Sequence, residues 1–321
     1  MEDRNLRIVF MGTPDFAVES LKALVENKFN VVGVITAPDR PAGRGQKLTQ
    51  SPVKEYAVEV GLPVLQPEKL KNEDFLNQLR DLKADLQVIV AFRMLPEVVW
   101  NMPRLGSLNL HGSLLPQYRG AAPINWAVIN GDKKTGVTTF FLQHEIDTGN
   151  IIMQEEMPIL DDDTAGSVHD KMMVLGAEVI LKTVDAIHKN EVKAVPQNEF
   201  SNESELRPAP KIFKEDCKID WNNSSEAIRN KIRGLSPYPT AWTELEMNNG
   251  KLISIKIFNA IISDKLQLKP GTIESDNKTF IAIGTNDKAI LITDIQLAGK
   301  KRMLTQELLR GFDSEQIKGI K

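Results

Sequence analysis

The sequence predicts an α/β protein with a mostly parallel sheet, followed by a second domain that is a small β-barrel. Three observations lead to this prediction. In the first half, continuous apolar runs that would bury a strand on both faces alternate with segments of helical spacing. From Ala241 to Leu297 the pattern changes to short strands with turn residues about every ten positions. At 321 residues, the chain is also long for one hydrophobic core.

The first domain begins with a Rossmann-like strand, turn, helix and strand. The apolar run Leu6–Met11 stops at G-T-P-D, Phe16–Asn27 has helical spacing, and Phe29–Thr36 is a second apolar run. The first turn holds one glycine and does not match G-x-G-x-x-G. We therefore exclude a dinucleotide site.

The segment after the second strand, Ala37–Lys47, is rich in proline and glycine. This composition predicts a long, mobile loop that contains neither helix nor strand. The loop carries Arg40, Arg44 and Lys47, and arginines on a glycine-rich arm are suited to phosphate contacts. The alternative is a solvated connection without a function of its own.

The same criteria predict the remaining elements and the domain boundaries. A polar, proline-bounded stretch predicts a linker at residues 190–208, between a first domain of residues 1–189 and a barrel domain of residues 209–321. Helices are predicted at Pro52–Val60, Asn72–Leu82, Glu97–Trp100, Pro123–Ile129, Val168–Ala186, Glu226–Arg233 and Thr305–Arg310. Strands are predicted at Pro63–Leu65, Leu86–Ala91, Leu105–Leu110, Gly136–Gln143, Ile151–Met157, Ala241–Met247, Leu252–Ile262, Gly271–Glu274, Phe280–Thr285 and Ala289–Leu297, with a hairpin turn at residues 248–250.

Polar side chains cluster where the Leu105–Leu110 strand ends. Asn109 and His111 are two residues apart, so on a strand they point to the same face. Open α/β sheets place their active sites at this end of the strands. Asp147, in the turn E-I-D-T-G, could complete a site for acyl chemistry. An amide would stabilise a charged oxygen, and an imidazole and a carboxylate would handle a proton.

Each of these residues also has a structural interpretation. Asn109 and His111 could be ordinary hydrogen-bonded residues at a strand end, and Asp147 could simply form its turn. His144 together with His111 and Asp147 could be imagined as metal ligands, but no Cys or His pair stands at a zinc-motif spacing, so we expect no metal. Ser113 lies outside any G-x-S-x-G motif, which argues against a serine hydrolase.

Composition points to a reducing compartment and an uneven charge distribution. Cys217 is the only cysteine, so no disulfide within the chain is possible, and the charged N-terminus and the absence of a long apolar run predict a cytoplasmic protein without a membrane segment. Residues 205–321 hold 19 Lys and Arg against 15 Asp and Glu, whereas residues 1–204 hold 21 against 28. A basic C-terminal part suits a polyanionic partner, although scattered surface lysines explain it equally well.

The string N-L-H-G-S-L-L-P, followed by D-T-G, resembles the folate-dependent formyltransferases, and within them those that act on methionyl-tRNA. The strings F-M-G-T-P-D-F, P-D-R-P-A-G-R-G, S-P-V-K, I-D-W and A-G-K-K extend the resemblance over nearly the whole chain. It implies that Asn109, His111 and Asp147 are catalytic. It also implies that the folate lies against Ser113, Leu114, Leu115 and Pro116, and that the backbone after Phe92 walls the pterin pocket.

The resemblance further implies the reaction and its partners. A formyl group would pass from 10-formyltetrahydrofolate to the α-amino group of initiator methionyl-tRNA, and the second domain would be an OB-like barrel. Separately from the resemblance, we expect a monomer. The tRNA would contact Arg40, Arg44 and Lys47 of the 37–47 loop and Lys300, Lys301 and Arg302 of the barrel. Where the family more often has A-Y-G, this chain has A-F-R, with Arg93 in place of the glycine.

Two alternatives remain open at this point. One is a formyltransferase of the same fold that acts on glycinamide ribonucleotide or a sugar amine, or a formyl-folate hydrolase. The Arg- and Gly-rich loop and the barrel domain argue against these, because a small substrate needs neither. The other is an RNA chaperone that keeps a degenerate enzyme domain, and the retained Asn, His and Asp argue against that.

Overall fold

The computed structural model describes residues 5–42, 47–200 and 206–321, and the chain divides into two compact units. Unit 1 takes the chain up to Gly120 together with Thr135–Met157 and His169–Pro208. Unit 2 takes Ala121–Lys134, Pro158–Val168 and Ala209–Lys321. Two short segments that come well before Ala209 in the sequence are therefore part of the C-terminal unit.

The elements follow one another in a largely alternating order up to His188. They are β1 (Ile8–Gly12), α1 (Asp15–Glu26), β2 (Val31–Ile35), β3 (Arg40–Ala42), β4 (Lys47–Thr49), α2 (Pro52–Glu59), β5 (Val64–Leu65), α3 (Glu73–Asp81), β6 (Leu86–Val90), α4 (Glu97–Trp100), β7 (Ser107–His111), α5 (Pro123–Ile129), β8 (Lys134–Phe141), β9 (Ile151–Pro158) and α6 (Ala165–His188). The predicted strands and helices in this part agree with these within a few residues at each end.

A mostly parallel sheet forms the centre of unit 1. Within the described residues its strand order is β5-β2-β1-β6-β7-β8-β9. β1 pairs in parallel with β2 and β6, β7 pairs in parallel with β6, and β8 runs antiparallel to β7. All residues of β1 and β6 are buried, which is why the sequence is apolar throughout β1 and, apart from Gln87, throughout β6. The predicted α/β class is confirmed.

Helices cover this sheet with apolar residues at helical spacing. One core cluster joins Val9 and Ile89 of the strands to Phe75, Leu76 and Leu79 of α3. The N-cap side chains of α2 and α3 accept hydrogen bonds from the helix backbone: Ser51 accepts from the Lys54 N–H, and Asn72 accepts from the Phe75 N–H. These caps satisfy backbone donors that the first turn of a helix leaves unpaired.

The prediction that residues 37–47 contain no strand is wrong. Arg40–Ala42 pairs antiparallel with Lys47–Thr49, and Pro41 stands opposite Leu48. Proline is tolerated here because a two-stranded ribbon consists of edges only, so its missing N–H can face away from the partner strand. Residues 43–46, and with them Arg44, lie outside the described residues.

Asp39 anchors the base of this ribbon. It accepts hydrogen bonds from Lys54 Nζ at 2.6 Å and from Gln66 Nε2 at 2.8 Å. The Lys54 and Gln66 hydrogen bonds hold the pKa of Asp39 below its ordinary value. The ribbon is therefore attached to α2 and to the segment after β5.

Unit 2 is a nearly closed antiparallel barrel. Its further elements are α7 (Ser225–Leu235), β10 (Ala241–Met247), β11 (Leu252–Ser263), β12 (Ile273–Ser275), β13 (Ile281–Gly284), β14 (Ala289–Leu297), β15 (Met303–Leu304), α8 (Thr305–Leu309) and β16 (Ile317–Ile320). In the described residues the strand order is β12-β13-β14-β11-β10-β16, with β15 added to β14. Ser314, just before β16, hydrogen-bonds Ser275 of β12 at 2.9 Å, which joins the two ends of this order.

The barrel agrees with the predicted architecture and adds detail to it. The predicted hairpin turn between β10 and β11 is present, with Gly250 at a φ of 79°, a left-handed conformation that glycine adopts without strain. The short strands β15 and β16 were not predicted. α7 packs into the barrel core through Ile228, Ile232 and Leu235. Asn125 of α5 donates a hydrogen bond to the Gly234 carbonyl of α7, which ties α5 to this unit.

None of the helices in residues 5–42, 47–200 and 206–321 has both the length and the apolar character needed to cross a lipid bilayer.

Candidate active site

Strand β7 carries Asn109 and His111 to the carboxyl end of the parallel strands. Asn109 stands opposite Phe140 of β8, and His111 stands opposite Thr138. The intervening Leu110 is buried on the other face, where its side chain lies close to Gly176 of α6. Asn109 is half-buried and His111 is buried, so their shared face is turned away from bulk water.

A backbone carbonyl determines which nitrogen of His111 carries a proton. His111 Nε2 lies 2.8 Å from the Tyr118 carbonyl oxygen. A carbonyl can only accept a hydrogen bond, so Nε2 must carry hydrogen. In the neutral ring, Nδ1 therefore has a free lone pair, and Nδ1 is the atom that faces Asp147.

Tyr118 is itself held in place. Its φ of 60° is a left-handed conformation, and its N–H donates to the Arg207 carbonyl at 2.7 Å. The Arg207 guanidinium lies 4.8 Å from the centre of the Tyr118 ring. The carbonyl that orients His111 thus has a fixed position, because both the backbone and the ring of Tyr118 are engaged.

Asp147 faces His111 from the turn after β8. Its Oδ2 lies 3.8 Å from His111 Nδ1, which is beyond hydrogen-bond distance, and accepts from the Gly120 N–H at 3.0 Å. Both Nδ1 and the carboxylate are acceptors when His111 is neutral. A donor such as an amine N–H could therefore lie between them, and either group could receive its proton.

The glycine of D-T-G is required by close packing. A Cβ on Gly149 would lie 1.7 Å from the Phe141 carbonyl oxygen, closer than any two such atoms can approach. Asp147, two residues earlier, has a φ of 56°. The turn is thus pressed against the end of β8, and this places the Asp147 side chain.

Gln197 is a residue of this site that the sequence analysis missed. It lies in the predicted linker, is 4% exposed, and donates to the carbonyls of Asp147 and Gly149 at 2.8 and 2.9 Å. Its Oε1 accepts from Arg119 at 2.7 and 3.0 Å. No spacing or periodicity in the sequence distinguishes this glutamine from the polar residues around it.

The S-L-L-P turn that follows His111 is supported from below by two further missed residues. The buried Thr138 hydroxyl donates to the Ser113 carbonyl at 2.7 Å and accepts from the Leu115 N–H at 3.0 Å. Gln154 donates to the Leu115 carbonyl at 2.6 Å and to Thr138 Oγ1 at 2.9 Å. The hydroxyl uses its one donor and both acceptors, so the turn has little freedom to shift.

The predicted folate-contact residues differ in exposure. Ser113, Leu115 and Pro116 are buried, and Ser113 Oγ donates to the Gln117 carbonyl at 2.6 Å. Leu115 packs with Phe140 and Ile151. Leu114 remains half-buried. Of these four side chains Leu114 therefore has the surface for an apolar ligand, and the others shape the backbone.

Phe92 and Arg93 follow β6 at the same edge of the sheet. Phe92 is half-buried and packs against the core cluster that includes Ile89. Arg93 donates to the Pro67 carbonyl and, at 2.8 Å, to the Glu68 carbonyl. Burial, followed by the nearby positive charge of Arg40, lowers the pKa of Arg93. The arginine that replaces the family's usual glycine is thus bound to the segment after β5.

The predicted tRNA contacts fall into three groups. Arg40 is exposed on β3, and the backbone of Lys47 lies on β4, while Arg44 lies outside the described residues. Lys300 and Lys301 are exposed between β14 and β15. Arg302 instead forms a two-point ion pair with Asp294 and lies 4.3 Å above the Phe258 ring. The Asp294 hydrogen bond raises the pKa of Arg302.

Within the part of the chain that the structure describes, no group of three or more His, Cys, Asp and Glu side chains is arranged to hold a metal ion. His144 lies 3.5 Å from Glu97 and packs edge-on against Trp100.

Comparisons with known proteins give consistent matches along the chain. The family model described as Formyl transferase matches residues 6–184, and the model described as Formyl transferase, C-terminal domain, matches residues 211–313. The chain is 60% identical over 313 residues to the methionyl-tRNA formyltransferase of Bacteroides fragilis, covering 97% of both chains. It is 48% identical over 314 residues to that of Porphyromonas gingivalis, again covering 97% of both.

Among solved structures, HypX from Aquifex aeolicus in complex with tetrahydrofolic acid is similar with a TM-score of 0.63. The identity is 20%, and the match covers 94% of this chain but 46% of HypX, so the chain spans about half the length of HypX. At this identity the similarity concerns the fold alone.

Proposed function

Because this chain belongs to the formyl transferase family, we propose that it transfers a formyl group from 10-formyltetrahydrofolate to the α-amino group of methionine on initiator methionyl-tRNA, for translation initiation. The choice of substrate is supported by 60% identity to a methionyl-tRNA formyltransferase over 97% of both chains. The chemistry is supported by one geometric observation, which is that His111 Nδ1 and Asp147 Oδ2 face each other 3.8 Å apart at the end of β7.

The reaction joins an amine nitrogen to the formyl carbon through a tetrahedral intermediate, and it needs two contributions from the protein. The half-buried Asn109 amide donates a hydrogen bond to the oxygen on which negative charge develops, an interaction worth roughly 10²–10³ in rate. His111 and Asp147 accept a proton from the attacking amine, which is worth roughly 10²–10⁴. An amine is itself a good nucleophile, so no activated Ser or Cys is required.

His111 can serve as this acceptor because its other nitrogen is already committed. Nε2–H is held by the Tyr118 carbonyl, so a proton that arrives must bind Nδ1, next to the carboxylate of Asp147. The imidazolium formed there is stabilised by that negative charge. Asp147 thus acts both as a proton acceptor and as the partner of the charged ring.

The formyl donor is activated by its attachment to N10 of the folate, which accepts a proton as it leaves. The residues proposed to hold it are Leu114, with its partly exposed apolar side chain, the backbone of the turn formed by Ser113, Leu115 and Pro116, and Phe92 at the end of β6. Thr138 and Gln154 keep that turn rigid before the folate binds. This edge of the sheet therefore offers a folate both an apolar surface and backbone groups in fixed positions.

The tRNA is proposed to bind through the basic residues of both units. Arg40 and Lys47 lie on strands β3 and β4 of unit 1, Arg44 stands between them in the sequence but outside the described residues, and Lys300, Lys301 and Arg302 lie in the β14–β15 connection of unit 2. Cationic side chains of this kind contact phosphates without reading sequence. We also expect a monomer that acts in the cytoplasm, where its single cysteine would remain reduced.

The test is formyl transfer from 10-formyltetrahydrofolate to charged initiator methionyl-tRNA, with glycinamide ribonucleotide as the amine in a parallel reaction. We expect formylated tRNA and no product with the small amine. Product from glycinamide ribonucleotide and none from the tRNA would support formyl transfer but overturn the proposed substrate. No product with either amine would overturn the proposed reaction.

A further inference from the structure

We propose that Gln197 is a positioning residue for formyl transfer, because its side-chain amide holds the turn that presents the Asp147 carboxylate to His111. This inference rests on the function proposed above. Gln197 does not touch the reacting atoms. Its effect on the reaction would come entirely through the position of Asp147.

The amide of Gln197 is saturated with hydrogen bonds. Nε2 donates to the carbonyls of Asp147 and Gly149 at 2.8 and 2.9 Å, and Oε1 accepts from Arg119 Nε and Nη2 at 3.0 and 2.7 Å. A guanidinium can only donate, and a carbonyl can only accept, so the orientation of the amide is fully determined. A buried amide with all four bonds made fixes its partners more firmly than a single hydrogen bond does.

The Asp147 turn needs such support. Asp147 has a φ of 56°, a left-handed conformation that few non-glycine residues adopt. The two carbonyls that flank Thr148 must also be satisfied once they are buried. Gln197 bonds to both of them, so relaxation of the turn to an ordinary conformation would break both hydrogen bonds.

The contacts form a closed ring around the catalytic aspartate. Gly120 N–H bonds the carboxylate of Asp147, and Arg119, its neighbour in the chain, bonds Gln197. Gln197 then bonds the Asp147 backbone. The ring therefore connects Arg119 and Gly120, which follow the S-L-L-P turn, to the D-T-G turn, and Gln197 is the link between these two segments.

Gln197 is held at this place by its own backbone neighbours. Val195, two residues earlier, exchanges two backbone hydrogen bonds of 2.8 Å with Ile151 at the start of β9. The backbone hydrogen bonds of Val195 therefore locate Gln197 independently of the Asp147 turn. A residue that positions the turn must itself be held by contacts outside the turn.

The test is Gln197→Glu, which has nearly the same shape and keeps an acceptor for Arg119. Its ionised carboxylate would place a negative oxygen against the carbonyls of Asp147 and Gly149, in place of an N–H donor. We expect kcat to fall by about 10- to 100-fold, the range that a small misplacement of a catalytic group produces. The KM values for 10-formyltetrahydrofolate and tRNA should change by less than about threefold, since ligand contacts are retained.

A pH profile separates this role from a general loss of structure. Once the carboxyl group introduced by Gln197→Glu is protonated, it can donate one hydrogen bond again, so the activity of this variant relative to the unaltered protein should rise as the pH falls. Gln197→Ala has no titrating group and should show a constant ratio. Gln316→Glu, which adds the same charge at an exposed position of unit 2, should keep the unaltered kcat.

Three outcomes would contradict the proposal in distinguishable ways. If the unaltered protein fails to formylate methionyl-tRNA, the proposed function fails first. If it is active and Gln197→Glu has the same kcat at every pH, Gln197 does not position Asp147. If Gln197→Glu lowers the thermal unfolding midpoint and raises both KM values together with its loss of kcat, Gln197 has a structural role only.

Discussion

At the scale of single residues, the site depends on which atoms of His111 are already engaged. The Tyr118 carbonyl takes Nε2–H, and this leaves Nδ1 as the atom that can exchange a proton beside Asp147. The Asn109–His111 spacing of two residues predicted their common face correctly. The partner of Nε2 could not be predicted, because Tyr118 lies on a turn whose left-handed backbone depends on contacts with Arg207.

Replacing either of the residues that are proposed to accept the proton should slow the reaction strongly without unfolding the protein. We expect Asp147→Asn and His111→Ala each to lower the transfer rate by roughly 10²–10⁴, because each removes an acceptor for the amine proton. In Asp147→Asn the Gly120 N–H can still bond the amide oxygen, so the turn should persist. The measurements are single-turnover formyl transfer and circular dichroism.

His144→Ala is the matched control, because His144 is exposed and pairs with Glu97 instead of Asp147. Its activity should equal that of the unaltered protein. Near-normal turnover by Asp147→Asn or His111→Ala would remove that residue from the mechanism, whatever happens to the other.

At the scale of elements, strand β8 braces the turn that is proposed to hold the folate. Thr138→Val removes the hydroxyl that bonds both Ser113 and Leu115 and leaves a buried N–H without its partner. This should lower the free energy of unfolding by about 1–3 kcal/mol. It should also raise the KM for 10-formyltetrahydrofolate more than the KM for tRNA. Urea denaturation and steady-state kinetics measure the two effects.

Thr135→Val on the same strand provides the comparison. Thr135 is buried, and its hydroxyl has no hydrogen-bond partner within residues 5–42, 47–200 and 206–321. Removal of that hydroxyl should leave stability unchanged or raise it slightly. Equal losses of unfolding free energy in Thr135→Val and Thr138→Val would mean that any Thr-to-Val change in β8 is destabilising. The Thr138 hydroxyl would then have no specific role in supporting the turn.

The start of helix α7 should give unit 2 a dependence on acidic pH. Asp287 accepts from the Ser225 N–H at 2.7 Å and from the Thr285 hydroxyl at 3.0 Å. The Ser225 hydrogen bond is the main reason that the pKa of Asp287 lies below its ordinary value. Because the pKa is lower in the folded state, the stabilisation is present above the unfolded pKa of about 3.9 and is lost as the pH falls through the folded value.

We therefore expect Asp287→Ala to lower the free energy of unfolding of unit 2 by roughly 0.5–1 kcal/mol at neutral pH, because the hydrogen bonds that it removes belong to an exposed carboxylate. The difference from the unaltered protein should begin to shrink near pH 4, where this carboxylate becomes protonated in the unfolded state, and it should shrink further as the pH falls through the lower pKa of the folded state. Denaturant titrations at several pH values measure this. A difference that stays constant down to about pH 2 would show that the carboxylate charge is not what stabilises the helix start.

At the scale of the whole molecule, the three residues of unit 2 that are proposed to contact tRNA, Lys300, Lys301 and Arg302, differ in their surroundings. All three are exposed, and Arg302 is in addition bonded to Asp294 and stacked on Phe258. We expect the double change Lys300→Ala with Lys301→Ala to weaken tRNA binding and to lower the slope of log affinity against log salt by about 1–2, as one or two phosphate contacts are lost.

Arg302→Ala should behave differently, because it also breaks the solvent-exposed ion pair with Asp294 and the contact with the Phe258 ring. It should lower the salt slope by less than the lysine pair does, because Asp294 already neutralises the Arg302 charge, and it should reduce the stability of unit 2 slightly. Binding isotherms at several salt concentrations, together with thermal unfolding, distinguish the two. A salt slope that falls for Arg302→Ala and not for the lysine pair would reverse these assignments.

The described structure shows which parts of the fold were predictable. The buried strands β1 and β6 were predicted because burial on both faces leaves a continuous apolar run in the sequence. The β3–β4 ribbon was missed because its pairing depends on the partner strand, and proline and glycine in a short segment normally indicate a loop. β15 and β16 were missed because strands of two and four residues carry almost no periodicity.

The sequence by itself determined the α/β class, the barrel, and the shared strand face of Asn109 and His111, because strand spacing and apolar periodicity are local properties. The catalytic role of these two residues and of Asp147 is a proposal that the resemblance to the family supplied. Only the tertiary structure showed that Gln197 and Thr138 support the site, because hydrogen bonds between residues 50 or 25 positions apart leave no local pattern. It likewise decided that Arg302 is engaged within its own unit while Lys300 and Lys301 are exposed. The partners of a charged residue depend on which side chains the fold places next to it, and the sequence does not show them.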